Sequence, residues 1–322
     1  MQITMDTKNL LILSQVKGLG PAFFKKHRIE LLNSNNIQFF IDKFTNESKS
    51  NFLFYEENAE KIIEDCKSLG IQMISCLSNN YPQQLLDINL PPVMLYIKGN
   101  TTLLKNIVSI IGTRNSTPLG NLIAERLGSY FSKDFAICNG LVEGIDEHSI
   151  HFGDKTISNA IGVISGGLNY EFTCSKSHAK LIDRVLDAGG LVLSEFSPQQ
   201  CEDKYSGSKA SRIQAGLSQG LILVQSGIDG GSKYTLSTFA KLPRTLGVIH
   251  YPSSKEYQSK AFEANRVIVN EQYVGLARII GLKTEKTISV KSIITISGKK
   301  DYDLFKNAII KNNKLEFFNS ME

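Results

Sequence analysis

Four segments of this chain place glycine beside a hydroxyl, amide or cationic side chain directly after an apolar run. They are Gly112-Thr113-Arg114-Asn115-Ser116, Asn139-Gly140-Leu141-Val142-Glu143-Gly144-Ile145-Asp146, Gly166-Gly167-Leu168-Asn169 and Gly227-Ile228-Asp229-Gly230-Gly231-Ser232-Lys233. Glycine lets an oxyanion approach backbone N–H groups, threonine and serine donate hydroxyls, and arginine offers a planar charged fork. Together these residues predict an edge that binds phosphate. Nucleotide cofactors are not expected: no GxxxxGK[ST] loop is present, and Gly112-Thr113-Arg114 is not the GxGxxG turn of NAD or FAD proteins. Catalysis is not expected either, because Ser194 and Ser232 lack a histidine at triad spacing. A metal is not expected, since His148, His151 and His178 share no helix face with carboxylates at ligand spacing.

Single residues carry more specific expectations. Arg114, on a glycine turn, reads as a phosphate clamp. Asp146 cannot attract phosphate and is expected to cap the following helix or hold loop amides, with contact to a sugar or base as the alternative. Glu195 is expected to be buried against a neighbouring loop. Tyr170, Phe172 and Tyr234 lie beside the glycine turns and offer rings on which bases stack, or else belong to the core. Near the N-terminus, Val16-Lys17-Gly18-Leu19-Gly20 has the look of a helix-hairpin-helix turn, followed by Lys25, Lys26, His27 and Arg28.

The elements that position these residues follow from hydrophobic spacing. Short Val-, Ile- and Leu-rich runs at 107–111, 135–138, 160–164, 191–193, 221–224 and 246–249 predict strands covered on both faces. Helices are predicted over 119–131, 177–188, 208–218 and 233–242. Six strands alternating with helices predict a doubly wound, mostly parallel Rossmann-like sheet, with ligands beyond the carboxyl ends of its strands. Before it, apolar spacing over 10–24 and 58–70 predicts a small helical domain, with a polar loop at 49–51 and Gly70 as a C-terminal cap. A strand follows at 71–76. After residue 282, a strand within 287–296 and a helix over 302–310 predict a short appendage. The expected division is 1–75, 76–282 and 283–322.

Composition agrees with a folded, anion-binding chain. Of 322 residues, 42% are hydrophobic and 21% charged, which excludes disorder, and 36 Lys and Arg against 31 Asp and Glu leave +5. Cys66, Cys76, Cys138, Cys174 and Cys201 form no CxxC pair, so buried free thiols are expected. The N-terminus shows no secretory pattern and no apolar run has membrane-spanning length, so a cytoplasmic protein is expected.

Read together, the segments over 81–270 resemble the DNA-processing protein DprA (Smf) family. The resemblance rests on Tyr81-Pro82-Gln83-Gln84-Leu85, Pro91-Pro92 with Leu95-Tyr96-Ile97-Lys98-Gly99-Asn100, and Val108 to Arg114. It continues through Gly140-Leu141, Gly144-Ile145-Asp146, Ile164 to Asn169, Ser194-Glu195, Arg212-Ile213-Gln214-Ala215-Gly216-Leu217-Ser218, and Gly231-Ser232 with Thr235. The resemblance implies a non-enzymatic homodimer. It would bind and protect single-stranded DNA without sequence preference and load a RecA-type recombinase during natural transformation. Carried over residue by residue, the DNA contacts would be Gly112, Thr113, Arg114, Asn115, Gly140, Gly144, Gly166, Gly167, Lys180, Arg212, Gly231 and Ser232. The chain departs from the family where His151 follows Ser149-Ile150, where Asn169 and Phe172-Thr173 stand in the third loop, and where Ala210-Ser211-Arg212 replaces Arg-Asn-Arg. These departures keep a second reading open: a nucleotide sensor or nucleotide-processing protein on the same fold, serving phage defence.

Overall fold

The computed structural model describes residues 5–46 and 51–319. Lys49 and Ser50 of the expected polar loop lie outside them. Helices α1 (Thr7–Gln15), α2 (Pro21–Lys26), α3 (Arg28–Leu32), α4 (Ile37–Phe44) and α5 (Phe52–Ser68) lead the chain. Asp6 and Asn36 cap α1 and α4 by accepting from the Asn9 and Phe39 amides. Gly70 takes φ +64 just past α5, and the Ile71 amide closes back on the Cys66 carbonyl. This is the left-handed turn that glycine supplies at a helix end.

Two strands follow, β1 (Gln72–Ser75) and β2 (Met94–Gly99), and then the alternating part of the chain. Its first half runs β3 (Ile107–Gly112), α6 (Pro118–Phe131), β4 (Ala136–Asn139), α7 (Ile145–Ile150), a small hairpin β5 (His151–Phe152) and β6 (Lys155–Thr156), and β7 (Ala160–Val163). Its second half runs α8 (Tyr170–Thr173), α9 (Lys176–Asp187), β8 (Leu191–Ser194), α10 (Ser206–Leu217), β9 (Gly220–Gln225), α11 (Ser232–Phe239), β10 (Thr245–Ile249), α12 (Glu263–Ile279), β11 (Ser292–Ile296) and α13 (Lys299–Asn319). Among the described residues one sheet holds nine strands in the order β1-β2-β8-β7-β4-β3-β9-β10-β11. The six strands read from apolar runs are β3, β4, β7, β8, β9 and β10, and they pair parallel throughout. Burial on both faces explains their composition: β4, β7, β8, β9 and β10 are buried at every position.

The sheet reaches past the alternating segment at both ends. β1 and β2 pair antiparallel with each other, and β2 with β8, at one edge. At the other edge β11 pairs parallel with β10, and Phe305 and Ile309 of α13 pack over Gly247 and Gly220. The segment after residue 282 therefore contributes an edge strand and a covering helix. α12 carries no clear helical stripe in sequence: Val267-Ile268-Val269 has strand propensity, and the backbone breaks at Gln272 (φ 52). No helix among the described residues is long and apolar enough to cross a membrane.

Two buried polar side chains lock the site-bearing end. Asn139 donates to the Asp146 carbonyl and Ser149 Oγ while its Oδ1 accepts from the Leu141 amide, which fixes the turn after β4. Asn265 on α12 accepts from the Ser226 amide and donates to the Val224 carbonyl, fixing the turn after β9.

Candidate nucleic-acid interface

The chain leaves β3 toward β4 on one side and leaves β9 toward β10 on the other, so the topological switch point falls between β3 and β9. A cleft of about 750 Å³ opens there, at the carboxyl ends of β3, β4, β7 and β9. Gly112, Thr113, Arg114, Asn115, Gly140, Gly231 and Ser232 line it, as expected positions brought together, and Asp146 lies at its wall. Gly144, Gly166, Gly167, Lys180 and Arg212 are not among its lining residues.

The reasons separate one glycine from another. A Cβ on Gly112 would sit 2.4 Å from Ile145 Cγ1, and one on Gly167 would sit 2.1 Å from the Ser197 carbonyl oxygen. Gly144 combines φ +86 with the Arg114 carbonyl oxygen 2.3 Å from where its Cβ would be. These glycines serve close packing of loop on loop. The Gly140 amide is also spoken for, donating to Asp146 Oδ2 at 2.9 Å. Gly231 differs: nothing lies within 4 Å of its Cβ position. It precedes α11, where the Lys233 and Tyr234 amides donate to the Gly230 and Gly231 carbonyls, and Ser232 Oγ is buried with no hydrogen-bond partner among the described residues. The Ser232 hydroxyl is therefore a donor left for a ligand at this corner of the cleft.

Arg114 lines the same cleft, exposed and with no ion pair among the described residues. Lys204, Tyr205, Ser208, Ser211 and Gln214 complete the lining from α10 and the loop before it. Tyr205 and Tyr234 are 59% and 51% exposed, and Lys204 and Lys233 lie over their rings. Such rings can stack bases. Phe172, 77% exposed, lies outside the cleft lining, and Tyr170 is buried with its hydroxyl donating to Asp183. Tyr205 and Lys204 gave no motif in sequence; an exposed Lys-Tyr pair before a Ser- and Gly-rich helix start was the available signal.

Arg212 occupies a different place. Its guanidinium forms a two-pronged pair with Glu195, with Nη2 to Oε2 at 2.6 Å, and Nε donates to the Leu90 carbonyl at 2.9 Å. Both side chains are largely buried. Arg212 thus ties α10 to the Pro-rich segment and to the end of β8. Arg212→Ala is expected to cost about 3 kcal/mol of stability by stranding Glu195, while leaving the salt dependence of oligonucleotide binding unchanged. Chemical unfolding and a salt titration check the two halves.

Asp146 accepts from the Gly140 and Val142 amides, yet burial pushes its carboxyl from the ordinary 3.8 up to about 7; those amides and the Arg114 charge pull the other way. The folded protein therefore holds a proton that the unfolded chain releases near pH ~4. Stability from this group is fully present below that pH and is lost as pH rises through about 7. Asp146→Asn is expected to flatten that part of the curve of unfolding midpoint against pH.

A side recess of about 120 Å³ adjoins the cleft through Arg114, Val142 and Ser165. At it Cys174, His178 and Glu202 bring metal-ligand atoms within 4.8 Å of one another. Glu202 there accepts from Ser165 Oγ at 2.9 Å and pairs with His178 Nδ1 at 3.4 Å, and burial pushes the Cys174 thiol up to about 12. The other histidines singled out are engaged separately, His148 with Glu125 and His151 with Thr156. In the N-terminal hairpin Gly18 takes φ +94. Lys25 and Arg28 donate to the Ile88 and Cys76 carbonyls, which docks these helices on the connection between β1 and β2.

The family model described as DNA recombination-mediator protein A matches residues 72–275, from β1 into α12. The chain belongs to this family. Curated relatives of the recombination-mediator chain include DNA processing protein DprA of Bacillus subtilis, 33% identical over 178 residues (54% of this chain, 59% of the relative). DNA processing protein DprA of Streptococcus pneumoniae is 32% identical over 162 residues (50% and 56%), and protein Smf of Escherichia coli 30% over 169 (51% and 44%). The matches thus span about half the length of these curated relatives. Among solved structures, DNA processing protein A from Streptococcus pneumoniae superposes with a TM-score of 0.70 at 22% identity, covering 94% of this chain and 98% of that one. DNA processing protein A from Helicobacter pylori, whose structure is described as giving insight into its single-stranded DNA binding mode, matches with a TM-score of 0.51, 22% identity and coverage of 62% and 87%. At such identities these structures establish the recombination-mediator fold.

Proposed function

We propose that this chain binds single-stranded DNA without sequence preference in the cleft at the β3–β9 switch point and acts as a non-enzymatic recombination mediator. Protecting the strand and loading a RecA-type recombinase on it as a homodimer during natural transformation are the finer parts of this reading. The observation that carries it is the convergence in one cleft of Arg114 and the Ser232 hydroxyl, which have respectively no ion pair and no hydrogen-bond partner among the described residues, with the exposed rings of Tyr205 and Tyr234. Phosphate ligands and base-stacking surfaces side by side suit a nucleic acid strand whose bases are unpaired. Family membership and the single-stranded DNA binding described for the Helicobacter pylori relative support the same reading.

Ala210 lines the cleft where the family motif places a guanidinium, so fewer counterions should be released here. Each phosphate contact contributes about 0.7 to the slope of log affinity against log salt for a single strand. Oligo(dT) binding, measured by fluorescence anisotropy over a salt series, is expected to be measurable and to weaken steeply with salt. Tight binding of a mononucleotide with no oligonucleotide binding would overturn the proposal in favour of a nucleotide sensor. Recombinase loading is checked by whether the protein speeds RecA filament formation on coated single strands.

A further inference from the structure

A second groove, of about 690 Å³, lies between α6 and the start of α13, where β10 ends at Ile249 and β11 at Ile296. This is within the size range of small-molecule sites. It shares no lining residue with the cleft described above. Its β11–α13 wall also lies beyond residues 72–275, the span that matches the family model.

Its lining is cationic and aromatic. Arg126, Lys133 and Lys299 line it, and none of them makes an ion pair among the described residues. The nearby acids are engaged. Glu125, in the lining, is held by His148 at 2.9 Å; Asp301 accepts the Ser297 and Gly298 amides; Asp303 takes the Tyr130 hydroxyl. Three rings face the same space: Tyr130 and Tyr302, with centroids 5.2 Å apart, and Tyr251, 40% exposed. Cations without an ion pair among the described residues, beside one exposed and two half-buried rings, match a phosphate joined to a flat heterocycle, because the guanidinium takes the phosphate oxygens and a phenol ring stacks on the base.

We propose that this groove binds a nucleoside phosphate, with the base on Tyr251 or the Tyr130–Tyr302 pair and the phosphate held by Arg126 and Lys299. The unit is either a free nucleotide or one residue of a single strand. The site stands independently of DNA binding in the first cleft.

Calorimetric titration of the full chain with thymidine monophosphate tests it. Binding is expected in the parent protein. It should fall about tenfold or more in Arg126→Glu/Lys299→Glu, as loss of a charge-assisted contact requires, and should fall in Tyr251→Ala. Arg114→Ala, in the first cleft, should leave it unchanged. Circular dichroism and thermal midpoints establish that each variant is folded; Lys133→Glu serves if the double variant is not. In the Arg114→Ala background, displacement of the mononucleotide by oligo(dT) assigns the site to a strand, and its absence assigns it to free nucleotide. No binding by the parent protein, binding unaltered in folded groove variants, or binding abolished by Arg114→Ala alone would overturn the proposal. Because oligo(dT) binding by the parent protein is read separately, failure here is distinct from failure of the DNA-binding reading.

Discussion

Arg114→Ala is expected to weaken oligo(dT) binding by about ten- to a hundredfold at low salt, the range given by one lost charge-assisted hydrogen bond. The loss should be alike for every sequence, because a guanidinium that holds phosphate reads no base. The slope of log affinity against log salt should flatten by about 0.7, one phosphate's worth for a single strand. Folding should be unaffected, since the side chain is exposed and makes no ion pair among the described residues. Anisotropy titrations at several salt concentrations read both numbers. An unchanged slope would place the phosphate elsewhere, and Ser232→Ala would then become the informative variant. Ser232 supplies the hydroxyl that has no hydrogen-bond partner among the described residues.

The largest stability effect is expected at Arg244. This buried guanidinium donates to the Ala215, Gly216 and Ser218 carbonyls at the end of α10, with Gly216 and Ser218 both at 2.7 Å. Its other arm reaches the Gln84 carbonyl and Asp87 Oδ2 at 2.6 Å, on the short 3-10 turn Gln83–Asp87. One side chain thus satisfies the last carbonyls of a helix and clamps the segment before β2 against it. Arg244→Ala is expected to cost about 3–5 kcal/mol, because several buried acceptors lose their donor at once. Arg244→Lys should recover only part of this, since an ammonium cannot span acceptors arranged for a planar fork. Urea unfolding measures both. A loss below about 1 kcal/mol, the size of a single net hydrogen bond, would show that the carbonyls find other partners.

Arg212 and Arg244 also show where sequence reasoning stops. Arg212 stands in a helix motif associated with DNA and was expected in the cleft, yet it is bound to Glu195 and the Leu90 carbonyl. Glu195 was expected to be buried against a neighbouring loop; it is half-buried and paired with this arginine. Spacing along α10 fixes which residues share a face. It does not fix which long side chain finds the carboxylate just after β8, 17 residues away in sequence. The glycine turns show the same limit from another side. Gly112, Gly144 and Gly167 are required because another backbone or side chain comes too close for a Cβ. Gly231 is the position where the space is open. One residue type answers both needs, so the sequence marks the loops without saying which amides are free.

What the sequence determined alone was the layered sheet. Short doubly apolar runs separated by helical stripes have no other way to bury themselves, and a parallel sheet puts the loops after its strands on one rim. The loops after β3, β4 and β9 meet in one cleft for that reason. Tertiary structure alone decided which groups on that rim remain unsatisfied. Asp146 takes the Gly140 amide and Glu195 takes Arg212, while among the described residues the Ser232 hydroxyl has no hydrogen-bond partner and Arg114 no ion pair. A polar group is available to a ligand only when nothing within about 3 Å already satisfies it. Only the folded arrangement of distant segments sets those distances.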